Sequence, residues 1–254
     1  MKVAVVGTGA AKLLTKILTK FGVNAVHIFP SRYPNPFKFR KYDVVLGVYI
    51  YTAWRSIISA KIAGCRAIIY VIGSDAIRYY KGRHIRASIA LRLSDIVIYV
   101  SPQLRELVGI SGPVIPIPID TQLFKPIKYD GKKRDILYYC PDPNTYRLEW
   151  ILNYARLHPK ETITVLALPQ QFIPANPPQN ILFLPNVQHD MMPHIYAMHK
   201  RLIRMTTHDG MPKMPYEALL CGLEVWWNGK RVTQIPPEML PENAVPKLLN
   251  YIVK

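Results

Sequence analysis

Two carboxylates lie in the stretch of this chain best suited to chemistry, MTTHDGMPKMPYEALLCG at 205–222. An apolar, strand-like run leads into a Gly/Pro loop, and a short helical pattern begins at Pro215 and ends before Gly222. Proline suits the first position of a helix, and glycine suits the position just past its end. Asp209 lies in the loop and Glu217 in the first helical turn, with seven residues between them. A strand that passes through a loop into a helix offers free backbone N–H groups to a phosphate.

The same two carboxylates allow a purely structural interpretation. Glu217 would then be an ordinary first-turn acid that complements the helix dipole, and Asp209-Gly210 a plain turn. The rest of the chain favours the functional interpretation. Strand and helix patterns alternate throughout, and 254 residues are enough for two doubly wound α/β domains.

The opening β-branched run at 2–6 is followed by Gly7-Thr8-Gly9 and an amphipathic helix. This predicts the first βαβ unit of a Rossmann-like domain. The Gly-x-Gly sequence lacks a third glycine, and no acidic residue ends the second strand, so we do not propose NAD. A tight strand-to-helix turn is the structural role of the two glycines.

Six residues of this chain resemble the donor-site motif of the GT-B glycosyltransferases, especially of the retaining family 4. They are Asp209, Gly210, Pro212, Glu217, Ala218 and Gly222. The sequence departs from the family at Asp209, where Glu is usual. The resemblance implies that Glu217 binds the ribose hydroxyls of a nucleotide sugar and that Asp209 is catalytic, reaching the donor sugar. The remaining donor-binding residues that it implies in this segment are Gly210, Met211, Pro212, Met214 and Pro215.

A second resemblance to family 4 lies at 117–126, IPIDTQLFKP, where Asp120, Phe124 and Pro126 match in spacing. Pro118 replaces the family's glycine. In the family this segment closes the first domain, which implies the GT-B fold, two Rossmann-like domains facing across a cleft. We expect an acceptor domain at 1–126 and a nucleotide-sugar donor domain at 127–254. The amphipathic helix predicted at 244–253 would pack back on the first domain, as it often does in this fold.

Three further residues follow from the resemblance. Gly9 belongs to a loop that lies near the donor diphosphate and the acceptor in GT-B enzymes. Gly73-Ser74-Asp75 is similar to the family's Gly-x-Asp and implies a catalytic place for Asp75, whereas Ile72 stands where a histidine often precedes the glycine. The Gly-Arg and Lys-Gly cations of the family are absent after the strand predicted at 135–139. Arg147 is the nearby cation, either substituting for them at the diphosphate or simply solvated.

The resemblance implies a hexosyltransferase that uses a UDP- or GDP-sugar, with retention at the anomeric carbon, no metal and no cofactor. A front-face mechanism, in which the leaving phosphate assists deprotonation of the acceptor, is implied as well. The acceptor, whether sugar, lipid or protein, is not identified. One alternative is a degenerate GT-B protein that binds nucleotide or sugar without transfer, which the missing cations favour. The other is a nucleic-acid-binding protein, supported by charge alone, since no helix-turn-helix, RRM or zinc pattern is present.

The formal net charge is +17, and residues 1–127 contain 18 basic residues against 5 acidic ones. This imbalance predicts an anionic partner such as a membrane surface or a phosphate-bearing acceptor. Basic residues interleave with aromatic residues at 31–42 and again at 78–86. Such interleaving suits a membrane interface, phosphates or nucleobases. The structural alternative is a pair of solvated segments with their aromatic rings folded onto the core. The two basic sets are Arg32, Lys38, Arg40 and Lys41, and Arg78, Lys81, Arg83 and Arg86.

The cysteines Cys65, Cys140 and Cys221 are far apart and lack metal-ligand spacing, which predicts buried free thiols in a reducing compartment. Of the histidines at 189, 194 and 199, the last two lie five residues apart and share no clean helical face, so no metal site is expected. We expect no signal peptide and no membrane span. A cytoplasmic protein follows, either free or peripheral at the membrane.

Overall fold

The structure, a computed structural model, describes residues 1–73, 76, 79–80, 82, 85–207 and 211–253. The chain divides into two compact units. The first comprises Met1–Pro118 and Pro237–Lys254, and the second comprises Ile119–Pro236. The domain boundary expected after Pro126 therefore lies inside the second unit, which contains the whole of the Asp120–Pro126 motif.

The first unit is built on a five-stranded parallel sheet with the order β2-β1-β3-β4-β5. Its inner strands are continuous buried runs, as expected of strands covered on both faces. The strands are β1 (Lys2–Val6), β2 (Asn24–Ile28), β3 (Val44–Val48), β4 (Arg66–Val71) and β5 (Ile96–Tyr99). The helices that accompany them are α1 (Gly9–Lys20), α2 (Ile50–Ile62), α3 (Ile85–Leu93) and α4 (Pro102–Val108).

The strand order of the first unit reverses between β1 and β3, because β2 pairs on one side of β1 and β3 on the other. Gly7 follows β1 at this point. A Cβ atom there would lie 2.9 Å from the Cβ of Ala11 and 3.0 Å from the carbonyl oxygen of Val48. The glycine is therefore required by the close approach of α1 and β3.

The second unit has a six-stranded sheet with the order β11-β10-β9-β6-β7-β8, in which β11 alone is antiparallel to its neighbour. Its strands are β6 (Arg134–Tyr139), β7 (Ile163–Leu166), β8 (Ile181–Leu184), β9 (His199–Arg204), β10 (Glu224–Trp227) and β11 (Lys230–Val232). Its helices are α5 (Leu148–Leu157), α6 (Met192–Ala197) and α7 (Met214–Leu220).

The last helix, α8 (Pro241–Ile252), belongs to the first unit. Its apolar stripe, Val245, Leu248 and Ile252, is buried in that unit's core. The stripe repeats at helical spacing, so one face of the helix is covered and the other is exposed.

Both sheets with their helices confirm the α/β prediction of two Rossmann-like units. Some element boundaries differ from the sequence-based ones. The strand expected at 202–206 is β9, which begins earlier at His199, and the helix expected at 189–198 is divided into a 3-10 turn at His189–Met191 and α6. The three cysteines are buried and free, as predicted. In the described part of the chain, no helix combines the length and apolar character needed to cross a bilayer.

Candidate active site

The strand order of the second unit reverses between β6 and β9, which are hydrogen-bonded neighbours. In open α/β sheets, ligands bind outside the carboxyl ends of the strands at such a reversal. The loop after β6 and the loop after β9 meet there, and the N–H of Thr207 donates to the carbonyl oxygen of Thr145 at 2.9 Å. A ligand site of this unit is therefore expected at these two loops and at the start of α7, which follows the second loop.

Glu217 lies in the first turn of α7 and is 3% exposed. Nε2 of His189 lies 3.0 Å from its Oε1, and the ammonium nitrogen of Lys213 lies 3.6 Å from the same oxygen. Lys213 precedes Glu217 by four residues, so one helical turn brings the two side chains together. The imidazole of His189 and the ammonium group of Lys213 thus contact the same carboxylate oxygen of Glu217.

This arrangement keeps Glu217 ionised. Burial by itself raises the pKa of the carboxyl group, but the Lys213 charge and the His189 hydrogen bond outweigh it, and the pKa lies below its ordinary value. A carboxylate removed from water and held by fixed partners is oriented as a hydrogen-bond acceptor. It can accept from hydroxyl groups of a ligand without first losing a proton.

Phe124 supports His189 from the motif that was expected to link the domains. The Phe124 ring is fully buried, and its centroid lies 5.1 Å from that of His189 in an edge-on arrangement. The backbone N–H of Phe124 donates to the carbonyl oxygen of Asp120 at 2.9 Å, and the N–H of Leu123 donates to Asp120 Oδ1 at 3.3 Å. The Asp-x-x-x-Phe spacing is therefore a turn that places Phe124 against the partner of Glu217.

Tyr196 contributes a buried hydroxyl to the same region. Its side chain is fully buried, and its oxygen has no hydrogen-bond partner among the described residues. Burial, followed by the negative charge of Glu217, raises the pKa of Tyr196 well above its ordinary value, so the phenol stays protonated. Its ring centroid lies 6.2 Å from that of Phe124. A protonated phenol without a partner is an available donor.

Arg204 ends β9 at the reversal of strand order and is 5% exposed. Its guanidinium carbon lies 4.9 Å from the ring centroid of Tyr146 and 5.9 Å from that of Tyr139. Nη2 lies 3.4 Å from the Tyr146 hydroxyl, and Nη1 lies 3.9 Å from the sulfur of Met214. The side chain thus connects the loop after β6 to the start of α7.

Arg147 occupies a left-handed backbone conformation, φ 45°, at the start of α5, and it is exposed. The hydroxyl of Tyr138 donates to the carbonyl oxygen of Tyr146 at 2.5 Å and contacts that of Arg147 at 3.3 Å. Arg147 therefore lies in the loop at the same sheet edge as Arg204. Its role at a diphosphate stays a prediction.

Of the other residues predicted for the site, four lie at the start of α7, one lies in the first unit, and three lie outside the described residues. Pro212 and Pro215 are buried, Met211 and Met214 are half-buried, and all four flank the start of α7. Gly9 begins α1 in the first unit and is exposed. The predicted residues Asp75, Asp209 and Gly210 lie outside the described residues.

Three residues of this region were missed by reasoning from sequence: His189, Lys213 and Arg204. The spacing of Lys213 and Glu217 was a readable signal, because residues four apart on a helix are neighbours. Arg204, at the end of an apolar strand, was also readable as a cation at the carboxyl edge of the sheet. Nothing local indicates His189, which is 28 residues from Glu217 in sequence.

No protein-family model matches the chain, and no curated protein matches it in sequence. Solved structures do match, and they define the fold as GT-B, the architecture of a large class of glycosyltransferases. One is an α-glucosyltransferase in complex with UDP and a 13-mer DNA with a central A:G mismatch. It has a TM-score of 0.67 and 10% identity, and the match covers 89% of this chain and 79% of that one.

Two other solved structures also match most of this chain. Anabaena HepE, in complex with UDP and glucose, has a TM-score of 0.64 and 15% identity, with 99% of this chain and 82% of that one covered. The lipopolysaccharide outer core galactosyltransferase WaaB, in its apo form, has a TM-score of 0.57 and 14% identity, with 89% and 80% covered. At these identities the likeness establishes the fold alone.

Proposed function

We propose that the protein is a glycosyltransferase that uses a nucleotide sugar. The observation that carries the proposal is the buried Glu217 carboxylate, which His189 and Lys213 contact next to the strand reversal of the second unit. His189 and Lys213 both contact Oε1, so Oε2 is the oxygen that we expect to accept from the donor ribose. The UDP or UDP-glucose in similar structures supports a UDP-sugar as the first donor to test.

We propose Arg204 and Arg147 as the cations on the donor diphosphate, in place of the family's missing Gly-Arg and Lys-Gly. Arginine suits this role because its planar guanidinium can donate two parallel hydrogen bonds to phosphate oxygens. Asp209 would contact the donor sugar and Asp75 the reacting centre, with retention of anomeric configuration. No residue of this set requires a metal ion for its part in the proposal.

The basic first half supports an anionic acceptor, either a phosphate-bearing molecule or the surface of a membrane. Several similar α-glucosyltransferase structures contain DNA, which makes DNA an acceptor to test. We rank it below a phosphate-bearing acceptor because the sequence has no pattern typical of nucleic-acid recognition. A second candidate function is nucleotide binding without transfer, which the absent Gly-Arg and Lys-Gly cations favour.

Thermal unfolding with a panel of nucleotides and nucleotide sugars tests the proposal. A ligand that binds only the folded protein raises the unfolding midpoint in proportion to the logarithm of its concentration over Kd. UDP and one UDP-hexose should stabilise the protein, with adenosine nucleotides as controls. Hydrolysis or transfer of the stabilising sugar would then separate the enzyme from the binding protein, and NMR of the product would report its anomeric configuration. No stabilisation by any nucleotide would exclude the proposal.

A further inference from the structure

A pocket of about 510 Å³ lies in the first unit and is lined by α2, the loop after β2 and the start of α3. Its volume lies within the range of small-molecule sites, roughly 300–1,000 Å³. Three arginines and two aromatic rings dominate the lining: Arg32, Tyr33, Trp54, Arg55 and Arg86. The tertiary structure thus brings together Arg32 from the basic segment at 31–42 and Arg86 from the one at 78–86. Arg55, which belongs to neither segment, is the third arginine of the pocket.

Aromatic rings rather than carboxylates hold these arginines. The guanidinium carbons of Arg55 and Arg86 lie 4.4 Å and 5.7 Å from the ring of Trp54, and that of Arg32 lies 5.5 Å from the ring of Tyr33. Within the described ranges, none of the three guanidinium groups forms an ion pair with a carboxylate. A cation–π contact leaves the in-plane N–H groups able to donate. The pocket therefore presents three positive groups to an incoming anion.

Two hydrogen bonds hold the loop after β2, which carries Arg32 and Tyr33, against its own unit. The Ser59 hydroxyl on α2 donates to the carbonyl oxygen of Pro34 at 3.1 Å, and the Cys65 thiol donates to that of Phe39 at 3.1 Å. Phe39 is 3% exposed, so it anchors the end of the loop in the core. A fixed pocket binds its ligand without first ordering a loop, which lowers the cost of binding.

We propose that this pocket binds the phosphate group of a phosphate ester, as the anionic part of the acceptor. A phosphate monoester carries a charge of about −1.5 to −2 at neutral pH, which three arginines can neutralise. Guanidinium groups match phosphate oxygens in geometry better than ammonium groups do. The phosphate belongs either to a lipid headgroup or to a soluble sugar phosphate.

The surroundings of the pocket favour a lipid headgroup over a nucleic-acid strand. Ile85 and Ile89 flank Arg86 on α3 and are 76% and 44% exposed, and Tyr33 on the loop is 80% exposed. Aromatic rings can stack on bases, but aliphatic side chains cannot, whereas both kinds suit the level of lipid headgroups. The inference depends on the proposed glycosyltransferase function only in naming this ligand an acceptor.

Intrinsic fluorescence and cosedimentation test the pocket directly. The probes are glucose 6-phosphate, phosphatidylcholine vesicles containing phosphatidic acid, vesicles containing oleic acid at equal surface charge, and a single-stranded DNA oligonucleotide. Trp54→Phe assigns the fluorescence change to the pocket while keeping an aromatic ring. The pocket variant is Arg32→Gln/Arg55→Gln/Arg86→Gln, and its matched control, with the same change in charge on exposed residues of the same unit, is Lys12→Gln/Arg92→Gln/Arg105→Gln.

The pocket variant should lose about 100-fold in affinity for the phosphate probe, because each cation near an anionic surface contributes roughly fivefold. The control should remain within about fivefold of wild type. If the pocket variant does not fold, Arg55→Gln alone should lose about fivefold, whereas Arg105→Gln alone, the matched single change, should bind as the wild type does. Binding of glucose 6-phosphate identifies a soluble source, and binding of phosphatidic acid vesicles alone identifies a lipid headgroup.

Three outcomes would overturn the proposal: equal losses in the pocket and control variants, oleic acid binding as tight as that of phosphatidic acid, or displacement of both phosphate probes by the oligonucleotide. UDP stabilisation is measured on the same variants and should be unchanged in the pocket variant. If UDP fails to stabilise the wild type, the proposed function is wrong. The phosphate-site proposal then still depends on the binding of the phosphate probes alone.

Discussion

His189 and Glu217 are joined by a contact of 3.0 Å between Nε2 and Oε1, and the carboxylate is almost wholly buried. The contact helps to keep a buried acid ionised, since it lowers the pKa of Glu217 together with Lys213. Phe124 packs edge-on against the histidine ring. The two segments that resemble glycosyltransferase motifs are therefore connected through a residue that belongs to neither.

Glu217→Gln should weaken UDP or UDP-sugar binding by about 10- to 100-fold, because a hydrogen bond to a charged group contributes roughly 1.5–3 kcal/mol. Isothermal titration of wild type and variant measures the change. Glu224→Gln is the control, since Glu224 lies on β10 in the same unit and its exposed carboxylate contacts Trp226 and Arg231. Equal affinities in wild type and Glu217→Gln would remove Glu217 from the donor site.

His189→Ala should shift the acid limb of nucleotide binding to higher pH. The histidine lowers the pKa of Glu217, so its removal raises that pKa and the carboxylate is protonated earlier as the pH falls. Affinity for UDP measured from about pH 4 to pH 8 reports the shift. His194→Ala, an exposed histidine on α6, should leave the profile unchanged. A profile of His189→Ala that overlays the wild type would mean that the contact does not tune the site.

Asp209→Asn should lower kcat by about tenfold or more while leaving the affinity for free UDP nearly intact. The expectation follows from its predicted contact with the sugar rather than the nucleotide, since a loss in kcat without a loss in binding marks an interaction made in the transition state. Single-turnover kinetics and UDP titration separate the two. Asp190→Asn, an exposed carboxylate of the same unit, is the control. Unchanged turnover in Asp209→Asn would make the acidic pair a resemblance only.

Asp135→Asn should destabilise the protein at neutral pH, by about 1–3 kcal/mol, and flatten its acid unfolding. The Lys200 ammonium at 2.7 Å and the backbone N–H of Thr162 at 2.8 Å hold the pKa of Asp135 far below its ordinary value. A lowered folded-state pKa gives stability that is present above the unfolded pKa and is lost as the pH falls toward the folded one.

Urea unfolding between about pH 2 and pH 7 measures this dependence on Asp135. Asp130→Asn is the control, because its ion pair with Lys128 is exposed on both sides and should contribute little. Parallel pH profiles for wild type and Asp135→Asn would contradict the prediction.

Leu248→Ala should destabilise the first unit by about 2–5 kcal/mol, because it leaves a cavity where the last helix is buried. Hydrogen exchange of amides in β1, β3 and β4 should accelerate, while exchange in β6 and β9 should not. Lys247→Ala, an exposed neighbour on the same helix, should change stability by no more than about 0.5 kcal/mol. If exchange accelerated only in the second unit, the assignment of α8 to the core of the first unit would be wrong.

The sequence by itself determined the alternation of strands and helices, because buried parallel strands are apolar runs and their helices show a 3.6-residue pattern. The spacing of Lys213 and Glu217 is also local information, since residues four apart on a helix are neighbours, but the prediction of a helix beginning at Pro215 missed it. The buried state of the three cysteines followed in the same way from their apolar surroundings.

Only the tertiary structure determines which residues, distant in sequence, contact these strands and helices. The order of strands in each sheet selects the edge where loops converge, and nothing in a single strand encodes its neighbours. His189 reaches Glu217 and Arg86 reaches Trp54 because separate elements pack together, not because of spacing along the chain. The aromatic loop at 31–42 shows the same division, since Phe39 and Tyr42 are buried whereas Tyr33 and Phe37 are exposed. Local composition allows each ring to be buried or exposed, and the packing of the folded first unit places Phe39 and Tyr42 in its core.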